Sequence, residues 1–342
     1  IALVGGATGL VGDPSGRNSE RTLNDEEIVE QWVGRIRHQL TGFLDFSSGK
    51  NAALLVNNLD WTAPISAINF LRDIGKHFSV NQMLAKDSVA TRLEAGGISY
   101  TEFSYQVLQA LDFLELFRRH DCTLQLGGSD QWGNITAGLD LIRKVTTKSG
   151  FALSVPLLTK ADGTKFGKTA SGSIWLDPAM TSPYAFFQFF INSDDRDVEK
   201  LLKMFSFKSH EEISALLDSH QTNPGLREAH RALAREVTTL IHGAEACESV
   251  EAAARALFGQ GELQAIDIAT LAGALAELPR TEIKDKNAIP TWVDLIVATG
   301  VVESKSAARR IIKEGGAYIN NVKVSSEDFA PTSNDLIGGR FI

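Results

Sequence analysis

The chain has 342 residues, of which 43% are hydrophobic and 22% are charged, and its formal net charge at pH 7 is −8. This length predicts two or three domains, and the composition is typical of a soluble globular protein. The negative charge argues against nucleic acid binding over the whole surface, but it is compatible with a local basic region. No apolar run reaches the ~18 residues of a membrane-spanning helix, so we expect no membrane partner.

Cysteine usage and the first residues set further limits. The two cysteines, Cys122 and Cys247, lie far apart, so they form neither a disulfide framework nor a CxxC metal clamp, and we expect a cytoplasmic protein. No group of His, Cys and carboxylate residues has the spacing of a metal site, so we expect no metal. No nucleophile signature is present, so the chemistry must depend on positioning and charge stabilisation. The chain opens at Ile1 inside an apolar run, without a Met or a basic signal region, which predicts that it begins partway through a domain.

Short apolar runs alternate with helical patterns up to residue 158. The first three runs end at glycine or asparagine, which is typical of buried parallel strands. The predicted strands are residues 1–4, 52–56, 123–126 and 153–158. The predicted helices are residues 25–46, 64–71, 81–93 and 101–119, and the last begins with a capping-box pattern at Ser99 and Glu102. This order predicts an α/β fold with an open parallel sheet and right-handed crossovers.

The pattern changes to helices alone after Pro183. Ser182 followed by Pro183 predicts a helix start, because the hydroxyl can cap the helix and proline is preferred in its first turn. Helical periodicity continues to about residue 261. Residues 278–290 contain two prolines and predict a linker, and residues 291–342 form a last small unit.

A polar stripe lies on the helix predicted at residues 101–119. Tyr105, Gln109 and Asp112 fall at i, i+4 and i+7, so they share one face. Apolar residues such as Leu108 and Phe113 flank this face, which favours the floor of a binding pocket. The alternative is the solvated side of an ordinary amphipathic helix.

Glycines follow three of the predicted strand positions. Residues 5–16 follow the first strand and residues 127–132 follow the third, where a ligand can approach the backbone closely. Asp130 stands where a carboxylate can hold a ribose hydroxyl. After the fourth strand, Lys165 and Lys168 lie in a glycine-containing loop that could close over phosphate groups. Tight turns and a solvated loop explain the same residues without a ligand.

The last unit combines a basic helix with a hairpin. Lys305, Arg309 and Lys313 recur at i, i+4 and i+8 with Arg310 beside them, and residues 318–324 predict a tight hairpin. This combination suits contact with a phosphate backbone, although a solvated surface helix explains it equally well.

Six segments in this order and spacing resemble the bacterial tyrosyl-tRNA synthetase family of class I enzymes, over essentially the whole chain. They are residues 2–9 (ALVGGATG), 12–16 (GDPSG), 75–81 (GKHFSVN), 103–105 (FSY), 126–134 (LGGSDQWGN) and 161–169 (ADGTKFGKT). Residues 165–169 match the second signature of the family, the KMSKS-type loop. The first signature, the HIGH-type motif, is expected before Ile1, together with a tyrosine that shares the phenol contact.

The resemblance implies a Rossmann-like catalytic domain at residues 1–182 with a dimer-contact insertion at about 60–100. It further implies a helical anticodon-recognition domain at 183–277, a linker at 278–290 and a small α+β RNA-binding module at 291–342. The implied activity is tyrosine–tRNA ligation with L-tyrosine, ATP with Mg²⁺ and tRNA(Tyr) as substrates, in a homodimer without a prosthetic group. A tryptophanyl enzyme of the same fold and a non-catalytic RNA-binding relative remain alternatives.

The resemblance also implies roles for particular residues. Asp112 accepts from the phenolic hydroxyl of tyrosine, and Arg17 stands where the family usually has Lys. The implied tyrosine-binding residues are Tyr105, Gln109, Asp112, Asp13, Thr8, Gln125 and Gln131. The implied adenylate-binding residues are Gly128, Asp130 and Lys168. The implied catalytic residues, which bind the triphosphate and the departing pyrophosphate, are Lys165, Lys168, Thr169, Arg17 and Arg21. The implied RNA-binding residues are Lys305, Arg309, Arg310 and Lys313.

Overall fold

The structure is a computed structural model that describes residues 1–13, 24–94, 96–169, 172–257, 261–276, 278–285 and 288–342, without the side chains of residues 87, 88, 91, 168 and 169. The chain forms two compact units, Ile1–Thr159 and Lys160–Ile342. Within the described ranges, no helix combines the length and the apolar character that crossing a membrane would require.

The first unit alternates strands and helices. Its elements are β1 (Ala2–Val4), α1 (Gly6–Val11), α2 (Glu26–Leu40), β2 (Leu55–Asn57), α3 (Leu59–Thr62), α4 (Ala67–Asn69), α5 (Val80–Leu84), α6 (Asp87–Glu94), α7 (Tyr100–His120), β3 (Leu124–Gly128), α8 (Trp132–Thr146) and β4 (Phe151–Val155). A π-helical segment, Phe70–Ile74, and 3₁₀ segments at Gly75–His77 and Ser129–Gln131 complete it.

All four predicted strands are present, but their pairing differs from the predicted single sheet. Among the described residues, β1 pairs in parallel with β2 and β3 pairs in parallel with β4, as two separate sheets. Helix α7 connects the two pairs, because it packs on α1, which follows β1, and on α8, which follows β3. Local sequence patterns mark each strand, whereas its partner depends on such distant contacts.

Helix α7 is the centre of the first unit. The Ser99 hydroxyl accepts a hydrogen bond from the Glu102 backbone N–H, as predicted, and the Glu102 carboxylate pairs with Arg92 at 2.7 Å. Leu111, Phe113 and Leu114 are fully buried against α8 and neighbouring residues. A Cβ on Gly138 of α8 would lie 2.9 Å from the Phe113 Cβ, so glycine permits the close approach of these helices.

Two predicted helices are shorter than expected. The pattern at 25–46 gives α2, which ends at Leu40 and is followed by Thr41, whose hydroxyl donates to the His38 carbonyl oxygen at 2.6 Å, and by the turn at Gly42. The pattern at 81–93 gives α5 and α6 with a turn between them. Lys86, in that turn, donates its ammonium group to the Gly133 carbonyl oxygen at 3.0 Å.

The second unit is mainly helical. Its elements are β5 (Lys168–Thr169), β6 (Gly172–Ser173), α9 (Pro183–Ile191), α10 (Val198–Phe205), α11 (His210–Thr222), α12 (Glu228–His242), α13 (Ala244–Leu257), α14 (Ile268–Leu275), α15 (Trp292–Ala298), α16 (Lys305–Lys313), β7 (Tyr318–Ile319) and β8 (Val322–Lys323), with 3₁₀ segments at Pro224–Leu226, Leu263–Ala265 and Ser333–Asp335. The Ser182 hydroxyl caps α9 by accepting from the Ala185 N–H, as predicted. Residues 278–285 and 288–290 contain no helix or strand.

The last residues of the chain share two cores. Residues of α15, α16 and the hairpin form one cluster around Val293, Ile312 and Ile319. The hairpin turn places Asn320 and Asn321 at φ values of 45° and 68°, as a tight turn requires. Beyond the hairpin, the chain returns to α13 and α14, where Ile337 is buried and Phe341 packs beside it.

Candidate active site

The glycine turn after β1 is held by the two asparagines at the end of β2, Asn57 and Asn58. The Gly6 N–H donates to Asn57 Oδ1 at 3.1 Å, and the Ala7 N–H donates to Asn58 Oδ1 at 2.7 Å. A Cβ on Gly6 would lie 2.3 Å from Asn57 Oδ1, so this contact requires glycine. The bonds join the carboxyl ends of both strands, which is where parallel sheets bind ligands.

Asp112 is a buried carboxylate held by two donors. Its side chain accepts from Asn58 Nδ2 and from Trp61 Nε1, both at 2.9 Å and each on a different oxygen. The residue is 2% exposed. Burial raises the pKa of Asp112 from 3.8 to about 6, although both hydrogen bonds oppose this increase. Each carboxylate oxygen has two lone pairs, so acceptor capacity remains for a further donor.

Asn58 also connects Asp112 to Thr8. The same Nδ2 that donates to Asp112 donates to the Thr8 hydroxyl oxygen at 3.0 Å. The structure therefore brings together Thr8 and Asp112, two of the residues that the sequence predicted for one site.

A network of amides and one carboxylate joins three more predicted residues. Gln131 Nε2 donates to Asp13 Oδ2 at 2.9 Å, and Gln109 Nε2 donates to Gln131 Oε1 at 3.2 Å. Asn134 Nδ2 donates to Gln109 Oε1 at 2.9 Å. Because Gln109 and Gln131 each both donate and accept, the network fixes the orientation of their side chains. It presents a carboxylate and amide oxygens, which are suitable acceptors for an ammonium group.

The remaining predicted residues of the first unit lie on the same elements. Tyr105 is half-buried on α7, one turn before Gln109. The Gln125 Oε1 on β3 is buried and has no hydrogen-bond partner among the described residues. At the end of β3, a Cβ on Gly128 would lie 2.6 Å from Asp130 Oδ1, and Asp130 itself is exposed.

The predicted phosphate-binding residues are described only in part. Arg17 and Arg21 lie outside the described residues, and so do the side chains of Lys168 and Thr169. Lys165 is exposed in the second unit. The backbone of β5, Lys168–Thr169, pairs antiparallel with β6, and Gly167 adopts a φ of 80° just before it.

Comparison with known proteins identifies the family. Residues 1–259 match the family described as tRNA synthetases class I (W and Y), and residues 270–342 match the tyrosine–tRNA ligase SYY-like C-terminal domain. The tyrosine–tRNA ligase of Streptomyces avermitilis is 60% identical over 344 residues, which cover 100% of this chain and 80% of that protein. The chain belongs to the tyrosine–tRNA ligase family.

Two further tyrosine–tRNA ligase relatives agree with this assignment. The tyrosine–tRNA ligase of Mycobacterium bovis is 53% identical over 343 residues and is matched over 80% of its length. The crystal structure of a C-terminally truncated mitochondrial tyrosyl-tRNA synthetase from Aspergillus nidulans superposes with a TM-score of 0.64 at 32% identity, over 75% of this chain and 76% of that one. The C-terminal domain and the named relatives favour the tyrosyl over the tryptophanyl alternative.

The basic helix of the tyrosine–tRNA ligase C-terminal domain is α16. Its four predicted RNA-binding residues are exposed, but three of them form ion pairs with two acidic side chains. Lys305 pairs with Asp294 at 2.6 Å, and Arg309 and Lys313 lie 3.5 and 3.0 Å from Glu327. A role for these residues in binding RNA stays a prediction.

Sequence reasoning missed Asn58, Trp61 and Asn134. From the sequence, Asn58 is interpreted only as the end of a strand. A polar residue at the end of a parallel strand is, however, the same signal that identifies Asp130 as a candidate. A buried Trp usually needs a partner for its N–H, and this rule could have drawn attention to Trp61. Nothing in the local sequence connects Asn134 with Gln109.

The fold also brings together a histidine and carboxylate cluster that sequence spacing did not show. The ligand atoms of Asp195, His220 and His230 lie within 4.8 Å of one another. Arg227 Nη1 already lies 3.4 Å from Asp195 Oδ1, and His230 Nε2 lies 3.1 Å from the Ser193 carbonyl oxygen. Because protein groups already engage Asp195 and His230, we assign no metal to the cluster, and the absence of a metal site stays a prediction.

Proposed function

We propose that this chain carries out both steps of tyrosine–tRNA ligation. In the first step, the tyrosine carboxylate attacks the α-phosphate of ATP, which forms tyrosyl-adenylate and releases pyrophosphate. In the second step, a ribose hydroxyl at the 3′ end of tRNA(Tyr) takes the tyrosyl group and AMP leaves. Mg²⁺ enters with ATP as part of the substrate. No protein nucleophile is needed, so the protein acts by positioning and charge stabilisation.

The observation that carries this proposal is the held carboxylate of Asp112. At neutral pH, the carboxylate with its pKa of about 6 is mostly ionised and can accept from a phenol. Asn58 and Trp61 fix both of its oxygens. Phenylalanine would deprive this buried carboxylate of the third donor that the phenol supplies, and the loss of a hydrogen bond to a buried charged group is costly. The site therefore favours tyrosine because the binding of phenylalanine is weakened by this lost hydrogen bond.

The ammonium group of tyrosine is the proposed ligand of the amide network. Tyr105 and Gln109 share a face of α7, and Gln109 is bonded through Gln131 to Asp13. The Gln125 oxygen, which is buried without a partner among the described residues, adds an acceptor. Gly128 and Asp130 are the proposed contacts of the adenylate ribose.

The signature loop is the proposed source of transition-state stabilisation. Lys165, Lys168 and Thr169, with Arg17 and Arg21, bind the β- and γ-phosphates and the departing pyrophosphate more tightly as negative charge moves onto them. Only interactions that strengthen in the transition state raise the rate, so these residues act on the rate of activation more than on tyrosine affinity.

Three further parts of the proposal concern partners and location. Exposed apolar side chains, Ile68, Leu71 and Val80, support a homodimer contact within residues 60–100. The helical and C-terminal parts of the second unit would bind tRNA. The two free cysteines and the link to protein synthesis support a cytoplasmic location.

The test is ATP–pyrophosphate exchange with protein made from the complete gene. We expect exchange that depends on tyrosine and not on tryptophan or phenylalanine. Lys168→Ala should lower the exchange rate by about 100-fold, since it removes a charged contact to phosphate, with less than about a threefold change in tyrosine affinity.

Lys50→Ala is the matched control, because Lys50 is an exposed lysine outside the proposed site. Tryptophan-dependent exchange, or none, would refute the proposed substrate. A Lys168→Ala variant that lost tyrosine binding but kept its activation rate would refute the role of the loop.

A further inference from the structure

Phe166 separates the two signature lysines and is anchored among aromatic rings. Its ring centroid lies 5.2 Å from that of Phe189 at an interplanar angle of 68°, and 5.8 Å from that of Phe205 at 30°. Phe190 lies 6.0 Å away. Edge-to-face and offset-stacked rings at such distances attract each other. We call the three partner rings, Phe189, Phe190 and Phe205, the aromatic socket; they belong to α9 and α10.

The backbone on both sides of Phe166 is also attached to the second unit. Upstream, the Ala161 N–H donates to Asp197 Oδ2 at 2.9 Å, and the Lys160 ammonium lies 5.8 Å from the Phe189 centroid. Downstream, the Gly167 carbonyl oxygen accepts from the Ile174 N–H at 3.0 Å. Between these two hydrogen bonds, the Phe166 side chain packs the segment against α9 and α10.

A cavity lies beside this anchor. It has a volume of about 540 Å³ and is lined by Phe166, Tyr184, Gln188 and Asp194, among others. The Phe166 ring therefore has partners in the socket and open space next to it.

We propose that Phe166 is a positioning residue for the activation step, an inference that rests on the proposed function of the signature loop. Its burial in the aromatic socket fixes the backbone between Lys165 and Lys168, so both ammonium groups reach the triphosphate together. A lysine stem is long and flexible, so its placement depends on the backbone that carries it. Without this anchor, the loop must become ordered again in every turnover. The conformational entropy lost in that ordering raises the activation barrier.

The first experiment compares Phe166→Ala with Phe166→Met in protein made from the complete gene. For Phe166→Ala, we expect kcat of pyrophosphate exchange to decrease about tenfold, as the loss of aromatic contacts of this size predicts, with an unchanged KM for tyrosine. Phe166→Met keeps an apolar side chain in the socket and should restore most of the rate. Phe207→Ala removes a ring that is 84% exposed in the same unit and is the control, with no expected change.

A double-mutant cycle separates positioning from a general loss of stability. If Phe166 acts through the signature lysines, Phe166→Ala should cost little more in a protein that already carries Lys168→Ala. Fully additive losses would overturn the inference. Trypsin provides a second measurement, because cleavage after Lys165 and Lys168 should be about tenfold faster in Phe166→Ala and unchanged in Phe207→Ala.

The outcomes distinguish this inference from the proposed function. If the wild-type protein lacks tyrosine-dependent exchange, or if Lys168→Ala matches it, the proposed function fails and this inference fails with it. If both behave as expected while Phe166→Ala retains the wild-type rate, only the positioning role of Phe166 is refuted.

Discussion

Asn58 and Trp61 both donate to the Asp112 carboxylate, which is the proposed acceptor of the tyrosine phenol. Asp112 lies on α7, whereas its two donors come from the segment that follows β2. In the proposed site, the preference for tyrosine over phenylalanine therefore depends on Asn58 and Trp61, which lie outside the polar stripe on α7. Their removal should affect the choice of substrate through Asp112.

Trp61→Phe tests this dependence. The substitution keeps an aromatic ring but removes the N–H that donates to Asp112 Oδ1. A hydrogen bond to a charged group contributes about 1.5–3 kcal/mol, so we expect the ratio of kcat/KM for tyrosine over phenylalanine to decrease at least tenfold. Trp175→Phe, at a half-exposed position in the second unit, is the control. An unchanged ratio in Trp61→Phe would show that Asn58 alone is sufficient.

The raised pKa of Asp112 predicts that tyrosine affinity depends on pH. Above the pKa of about 6, Asp112 is an ionised acceptor, and below it the protonated group loses the charge-assisted bond. Tyrosine affinity should therefore weaken as the pH falls through 6, whereas phenylalanine affinity should not. Calorimetric titration of both amino acids between about pH 5 and pH 8 measures this difference. Parallel curves for the two ligands would contradict the assignment.

The same pKa has a consequence of opposite sign for folding. Because the folded-state pKa lies above the ordinary 3.8, ionisation of Asp112 opposes folding. This destabilisation is absent below the ordinary pKa, develops as the pH rises towards 6, and is complete above it. Ionised Asp112 therefore lowers the free energy of unfolding at neutral pH, where the proposed site requires the carboxylate.

At the scale of elements, the turn between β1 and α1 depends on a close fit with Asn57, the last residue of β2. Gly6→Ala would place a Cβ against Asn57 Oδ1 and must disturb the hydrogen bond that Asn57 accepts from the Gly6 N–H. We expect a destabilisation of about 1–3 kcal/mol and a melting temperature several degrees lower. Gly34→Ala in α2 meets no atom within 4 Å and should be neutral or stabilising. Thermal melts of both variants measure the contrast, and equal melting temperatures would refute the close fit.

The sequence predicts those structural elements that are determined by residues next to one another in the chain. The strands at residues 1–4 and 123–126, the caps at Ser99 and Ser182 and the hairpin turn all depend on neighbouring residues, and the structure has them. Strand pairing could not be predicted, because it depends on contacts between distant parts of the chain, such as those of α7 with α1 and α8. In the site, the stripe on α7 followed from helical spacing, whereas Asn58 and Trp61 reach Asp112 only through the fold.

At the scale of the whole molecule, the C-terminal residues are part of the core of the second unit. Ile337 and Phe341 pack with Leu271 and other residues of α13 and α14, and Asn321 Nδ2 donates to the Ala256 carbonyl oxygen at 2.6 Å. Sequence reasoning treated residues 291–342 as a separate module after a linker. These contacts attach that module to the helices before it.

Phe341→Ala tests this attachment. The substitution removes a ring that is partly buried against α13 and α14, so we expect a loss of about 2–4 kcal/mol and earlier melting of the second unit. Tyr318→Ala changes a residue that is 54% exposed and should have little effect. Calorimetry of both variants measures the difference. Equal melting profiles would show that residues 291–342 fold independently of α13 and α14.

The return of the chain to α13 and α14 has a consequence for biosynthesis. A nascent chain that has emerged from the ribosome only as far as the β7–β8 hairpin has already made Leu271 and its neighbours but not the residues that cover them. The apolar surface of these helices stays exposed until residues 337–341 have been translated. Truncated products that lack residues 337–341 should therefore aggregate and be degraded rapidly by cellular proteases.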